Sequence, residues 1–133
     1  MSAAVYAPLL EQVRRVERIL AKLYHNYDEK LKEIEARLRE GYDPLLERAA
    51  DNVAGILRVV SAALRLARGI EEALAERDER LVRLRVQRLE DEAERLRDQV
   101  YYGPVKLPTG VRVYIMSLVG IVKRLSGGLG EQR

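Results

Sequence analysis

The stretch from Pro44 to Leu74, PLLERAADNVAGILRVVSAALRLARGIEEAL, is the most apolar run in the chain and restricts the fold more than any other feature. Leu46, Ala49, Val53, Ile56, Val60, Ala63, Ala67, Ile70 and Leu74 recur at alternating steps of three and four, which places them on one stripe of an α-helix. Leu45, Ala50, Leu57, Val59, Leu64 and Leu66 widen that stripe, leaving a thin polar line through Glu47, Asp51, Arg58, Ser61, Arg65 and Arg68. A helix this apolar must be covered on most sides, so the pattern predicts the central helix of a bundle. Arg58 and Arg65 interrupt it well short of the ~20 apolar residues that a bilayer span needs.

The segment before it carries a second helical pattern. Pro8 fits a first turn, where a missing N–H costs nothing. Leu9, Val13, Val16, Leu20, Leu23, Tyr27, Leu31, Ile34 and Leu38 then form a coiled-coil-like seam with one stutter near Tyr27. Asp28–Lys32, Glu33–Arg37 and Glu35–Arg39 are acid-first pairs four residues apart, the more favourable order. Gly41 ends this helix, and Tyr42-Asp43-Pro44 reads as a corner with Asp43 as cap and Pro44 at the first helical position. A helix over about residues 6–40 spans roughly 50 Å, whereas a compact globule of this size is only ~36 Å across. The fold must therefore be elongated, or its long helix supported by a neighbouring subunit, and both are expected.

The central helix has two candidate ends, Gly69 as a C-terminal glycine or a turn near residues 76–79. The apolar stripe runs in phase through Ile70 and Leu74, which favours the later turn. Val82, Val86, Leu89, Ala93, Leu96 and Val100 mark a third helix to about Tyr102. YYGPVKLPTG, residues 101–110, is the one true loop. Residues 111–125 are rich in β-branched side chains, but Val111, Ile115, Leu118, Val122 and Leu125 step 4-3-4-3, so a helix is favoured over a strand. Thr109 stands as a possible cap, and Lys123 and Arg124 precede Gly127-Gly128. The expected fold is all-α: one domain over residues 1–133, an elongated bundle of about four helices, two of them long, with a flexible-looking tail at 126–133.

Much chemistry is missing. The chain has no cysteine, so disulfides and thiolate sites are excluded. His25 is the only histidine, so no zinc or di-iron constellation is expected; it reads as a phosphate or base contact beside Tyr24 and Tyr27, or simply as a partly exposed helix residue. Ser2, Ser61, Ser117 and Ser126 lack an elbow motif, and GGLG at the tail lacks the lysine of a phosphate-binding loop. The acidic cluster Glu90–Glu94 reads as a solvated helix face. No cofactor, metal or enzymatic activity is expected. No signal-peptide pattern is visible, so a cytoplasmic setting is the default.

Charge is the more informative property. The net charge is +3, and arginine outnumbers lysine nineteen to five, a bias that genome composition also produces; the six Asn and Gln together with abundant paired charges suggest a thermophile. Arg14, Arg18 and Lys22 step by four along the first helix, with His25 continuing the row. Arg58, Arg65 and Arg68 line the narrow polar stripe of the second. Arg80, Arg83 and Gln87 do the same on the third, and Lys123 and Arg124 end the fourth. On the third helix Arg77, Arg80, Arg83, Arg85 and Arg88 crowd the first half, and Glu90, Asp91, Glu92, Glu94 and Asp98 the second. Such rows suit a polyanion backbone, through counterion release and forked arginine–phosphate contacts. The competing reading is a solvated face whose arginines meet the acidic half of the third helix between subunits. Tyr101 and Tyr102, beside the loop, read as base-stacking residues or as an amphipathic edge packed on a neighbour.

With its long helices, short Pro/Gly loop and basic rows, the chain resembles the major capsid proteins of filamentous archaeal viruses. The resemblance is one of architecture and carries no individual contact residue. It implies a structural, non-enzymatic protein whose helical-bundle subunits pair and wrap double-stranded DNA, held in the A form, inside a virion. A helical adaptor or small subunit of a larger protein or ribonucleoprotein complex is the alternative.

Overall fold

The structure, a computed structural model, describes residues 3–131 as four α-helices: α1 (Ala3–Glu40), α2 (Pro44–Ala75), α3 (Glu79–Tyr102) and α4 (Thr109–Glu131). Short-range chemistry fixes their limits. Asp43 accepts the Leu45 amide at 2.9 Å and Pro44 opens α2. In the same corner the Tyr42 hydroxyl donates to Glu47 at 2.7 Å, and that carboxylate raises the phenol's pKa. α2 ends at Ala75, where Glu76 accepts the amides of Arg77 and Asp78, and Asp78 caps α3 through the Arg80 amide at 2.9 Å.

Gly69 therefore lies inside α2, and its lack of a side chain serves packing. A Cβ at that position would stand 2.6 Å from Leu89 Cδ2, so glycine lets α3 lie close against α2. α4 differs from expectation at both ends. The first intrahelical bond runs from the Arg112 amide to the Pro108 carbonyl at 3.1 Å, so Thr109 is the first residue of the helix and not its cap. At the other end the helix passes through Gly127 and Gly128 to Glu131, where a flexible tail was expected from residue 126. Glycine disfavours a helix by only about 1 kcal/mol per residue, which does not by itself stop one already anchored by the buried Leu125. The last two residues of that expected tail lie outside the described residues.

α2 touches the other three helices, as its apolar circumference requires, and α1 and α3 do not meet among the described residues. The cross-section is thus a rhombus, with α2 and α4 in contact across the middle and α1 and α3 at the far corners. The expected seams form the main core: Val13, Leu20, Val60, Ile70, Ile115, Leu118, Ile121 and Leu125 are among its most enclosed side chains of α1, α2 and α4, and α3 adds Val86, Leu89, Ala93 and Leu96. A second, smaller core holds Ile34, Val53 and Leu57, with Leu31, Leu38, Leu46, Ala49 and Ala50 packed against it. All of these come from α1 and α2, so the two long helices continue past the bundle as a two-helix arm. With 38 residues α1 is about 57 Å long. Leu45, expected to help widen the covered stripe, is 72% exposed because no third element reaches the arm.

The α3–α4 loop closes the near end of that arm. Asn52 grips the Lys106 backbone twice, accepting its amide at 3.1 Å and donating to its carbonyl at 3.4 Å. The neighbouring Val105 rests on Gly55 of α2, where a Cβ would meet its Cγ2 at 2.6 Å.

Candidate nucleic-acid interface

Two stripes of like spacing face each other across α2 and α3. On α2, Arg58, Ser61, Arg65, Arg68 and Glu72 step 3-4-3-4; on α3, Arg85, Arg88, Glu92, Arg95 and Gln99 step 3-4-3-4. Each set lies beside its helix's buried seam, and the antiparallel packing at Gly69–Leu89 brings both to one side. Between them runs a groove of about 780 Å³, bordered by Arg65, Arg68, Arg85, Arg88 and Arg95 together with Glu72 and Glu92. A further stretch of about 570 Å³ continues past Arg58, Tyr24 and the Gly103-Pro104-Val105 loop. The two share Ala62, Arg65 and Gln99, so they form one continuous trough lined by six arginines and two glutamates.

Some of these arginines are held in place. Arg85 bridges Glu76 at 3.3 Å and Glu72 at 3.8 Å, Arg65 donates to Ser61 Oγ at 3.2 Å, and Arg95 Nε donates to the Asp91 carbonyl at 3.3 Å. Arg58, Arg68 and Arg88 enter no ion pair among the described residues. The trough is electropositive because its cations exceed the acids that could neutralise them. Planar guanidinium groups on both rims suit forked contacts to phosphate oxygens.

At the α1–α2 contact, outside the lining of the trough, Arg14 Nε lies 3.9 Å from Glu71 Oε1. Glu17 reaches the same place from α1, and its Oε2 is buried without a hydrogen-bond partner among the described residues. Burial, and then the Glu17 carboxylate, push the Glu71 pKa above its ordinary value, while Arg14 and Arg68 pull it down. Two carboxyls thus compete for one site.

The structure disperses the remaining predicted contact residues. Of the ten, Arg58, Arg65 and Arg68 line the trough. Arg14, Arg18 and Lys22 are exposed on α1 and point away from its seam, as does His25. Arg80 and Arg83 are exposed on α3; Arg83 precedes Arg85 by two residues, about 200° around the helix, and so falls outside the trough. Lys123 lines a separate groove of about 280 Å³ between α3 and α4 with Glu90, Glu94 and Arg97, and Arg124 is exposed beside it. Arg85, Arg88 and Arg95 form one rail that was not among the expected contacts; its sequence signal is the heptad-like spacing with Glu92 and Gln99, which the segregation of α3's charges into a basic and an acidic half obscures.

Among the described residues no cluster of three or more His, Asp or Glu side chains could hold a metal ion, and no helix is long and apolar enough to cross a membrane. Comparison with protein-family models, with curated proteins and with solved structures finds no match.

Proposed function

We propose that this chain is a structural, non-enzymatic protein whose α2–α3 trough seats the phosphate backbone of a nucleic acid, with many copies assembling along it as in a filamentous virion. The observation that supports this reading is the continuous trough, with arginines on both rims and few acids between them. From Arg58 to Arg68 the α2 rail covers ten residues, about 15 Å, long enough to meet more than one phosphate of a strand. Each phosphate neutralised releases condensed counterions, which makes binding favourable and dependent on salt. Double-stranded DNA is the polyanion that the capsid resemblance implies.

The test is fluorescence anisotropy with labelled duplex and single-stranded oligonucleotides. Arg65→Glu with Arg68→Glu is expected to weaken binding on the order of a hundredfold, since four charge units change inside the trough. Arg80→Glu with Arg83→Glu changes net charge equally but outside it, and is expected to cost tenfold less. Equal losses from the two pairs, or none from the first, would overturn the placement.

A further inference from the structure

The cross-section that keeps α1 and α3 apart also leaves a basic row on one corner and an acidic row on the opposite one. α1 turns its seam inward, so Arg14, Arg18 and Lys22 stand exposed on the outer corner of the rhombus. At the opposite corner α3 buries Val86, Leu89, Ala93 and Leu96, and Asp91, Glu94 and Asp98 stand exposed on its outer side. We propose that these two rows meet between copies of this chain: the Arg14/Arg18/Lys22 row of one molecule docks on the Asp91/Glu94/Asp98 row of the next.

Spacing and the state of the charges carry this. The basic row extends eight residues, about 12 Å, and the acidic row seven, about 10.5 Å, so three cations can lie against three carboxylates in register. Neither row is neutralised by the described residues of its own molecule. Arg18, Lys22 and Asp91 enter no ion pair among the described residues, and the single Arg97 is shared between Glu94 and Asp98 at 3.8 Å each, beyond hydrogen-bonding length. Arg14 contacts Glu71 only at 3.9 Å, with most of its side chain in solvent. Because the two rows differ and lie on opposite corners, the contact is heterologous and repeats without using itself up, giving an open filament or a ring. On α3 the acidic row borders one rim of the trough, since Arg95 Nε donates to the Asp91 carbonyl one turn away. The inference deepens the assembly half of the proposed function and needs nothing from its nucleic-acid half.

The experiment uses the full chain stripped of nucleic acid by nuclease and high salt, with sedimentation velocity at low and high ionic strength. Wild type is expected to form concentration-dependent polymers at low salt that dissociate at high salt, where the Debye length falls to about 3 Å. Arg18→Glu with Lys22→Glu leaves both corners acidic, and Asp91→Lys with Glu94→Lys leaves both basic. Each variant alone is expected to self-associate at least about tenfold more weakly, exposed ion pairs being individually small. Mixed in equal amounts, the two variants are complementary at both contacts and are expected to polymerise again as an alternating chain, a recovery that misfolded variants would not give. A wild type that stays monomeric at low salt, variants that polymerise like wild type, or a mixture of folded variants that does not recover would each overturn the proposal. A short oligonucleotide titrated into the same samples separates the two readings: polymers that bind none sink the trough alone, and monomers that bind it sink the contact alone.

Discussion

Gly55→Ala tests how tightly the α3–α4 loop is pinned, and with it the far end of the trough. In a helix interior, replacing glycine by alanine gains about 1 kcal/mol from backbone entropy. At Gly55 the added methyl meets Val105 Cγ2 at 2.6 Å, Cγ1 at 3.1 Å and Cβ at 3.4 Å. Val105 has little room to retreat, because Asn52 holds the backbone of the next residue by two hydrogen bonds. Overpacking of this kind costs about 1–3 kcal/mol, so the net expectation is a loss of about 1 kcal/mol. For a chain of this length that lowers Tm by about 4 °C, read from thermal unfolding by circular dichroism. Val105→Ala removes the two close methyls and leaves Cβ at an ordinary contact distance. In that background Gly55→Ala is expected to stabilise by up to about 1 kcal/mol, a coupling of about 2 kcal/mol in the double-mutant cycle. Gly120→Ala, with no neighbour within 4 Å of the new methyl, is the control and should raise stability in either background. If Gly55→Ala stabilises the wild type as much as Gly120→Ala does, the clamp is not there.

Ile115→Ala, at a position with 0% exposure in the core, is expected to cost about 2–5 kcal/mol, seen as a lower urea midpoint with an unchanged slope. Glu71→Gln probes the paired carboxyls. Its raised pKa means that the fold favours the protonated form, so this group's contribution is fully present below the unfolded value of 4.5 and is lost as pH rises through the folded value. The glutamine variant is therefore expected to be more stable than wild type at about pH 7 and to lose that advantage at about pH 4. An advantage that is the same at both pH values would contradict the account.

The parts of this fold that depend on near neighbours in sequence were legible. The apolar seams, the Asp43-Pro44 corner, the turn after Ala75 in place of Gly69, and the helical character of residues 111–125 all follow from periodicity and local capping. What was not legible depends on a neighbour. Gly69 looks like a helix stop until Leu89 is seen resting on it, and Leu45 looks covered until the arm is seen to lack a third helix. The continuation of α4 through Gly127-Gly128 was missed because two glycines weaken a helix without forbidding it. The trough shows the same division. The α2 rail could be read from one helix, since it is the only polar line on an apolar rod. The α3 rail of Arg85, Arg88 and Arg95 could not be picked out from Arg80 and Arg83 without knowing which flank of α3 meets α2. A helix's own periodicity gives its buried face but not the identity of what lies to either side.

The most direct test is the salt dependence of nucleic-acid binding by the wild-type chain, measured by anisotropy from low to near-physiological salt and beyond. Six arginines against Glu72, Glu92 and the Glu76 that bridges Arg85 leave about three uncompensated charges in the trough, so log K is expected to fall against log salt concentration with a slope near −3, a loss of about fiftyfold between about 50 and 200 mM. A slope near zero, or no binding at the lowest salt, would contradict the claim that the trough grips a phosphate backbone.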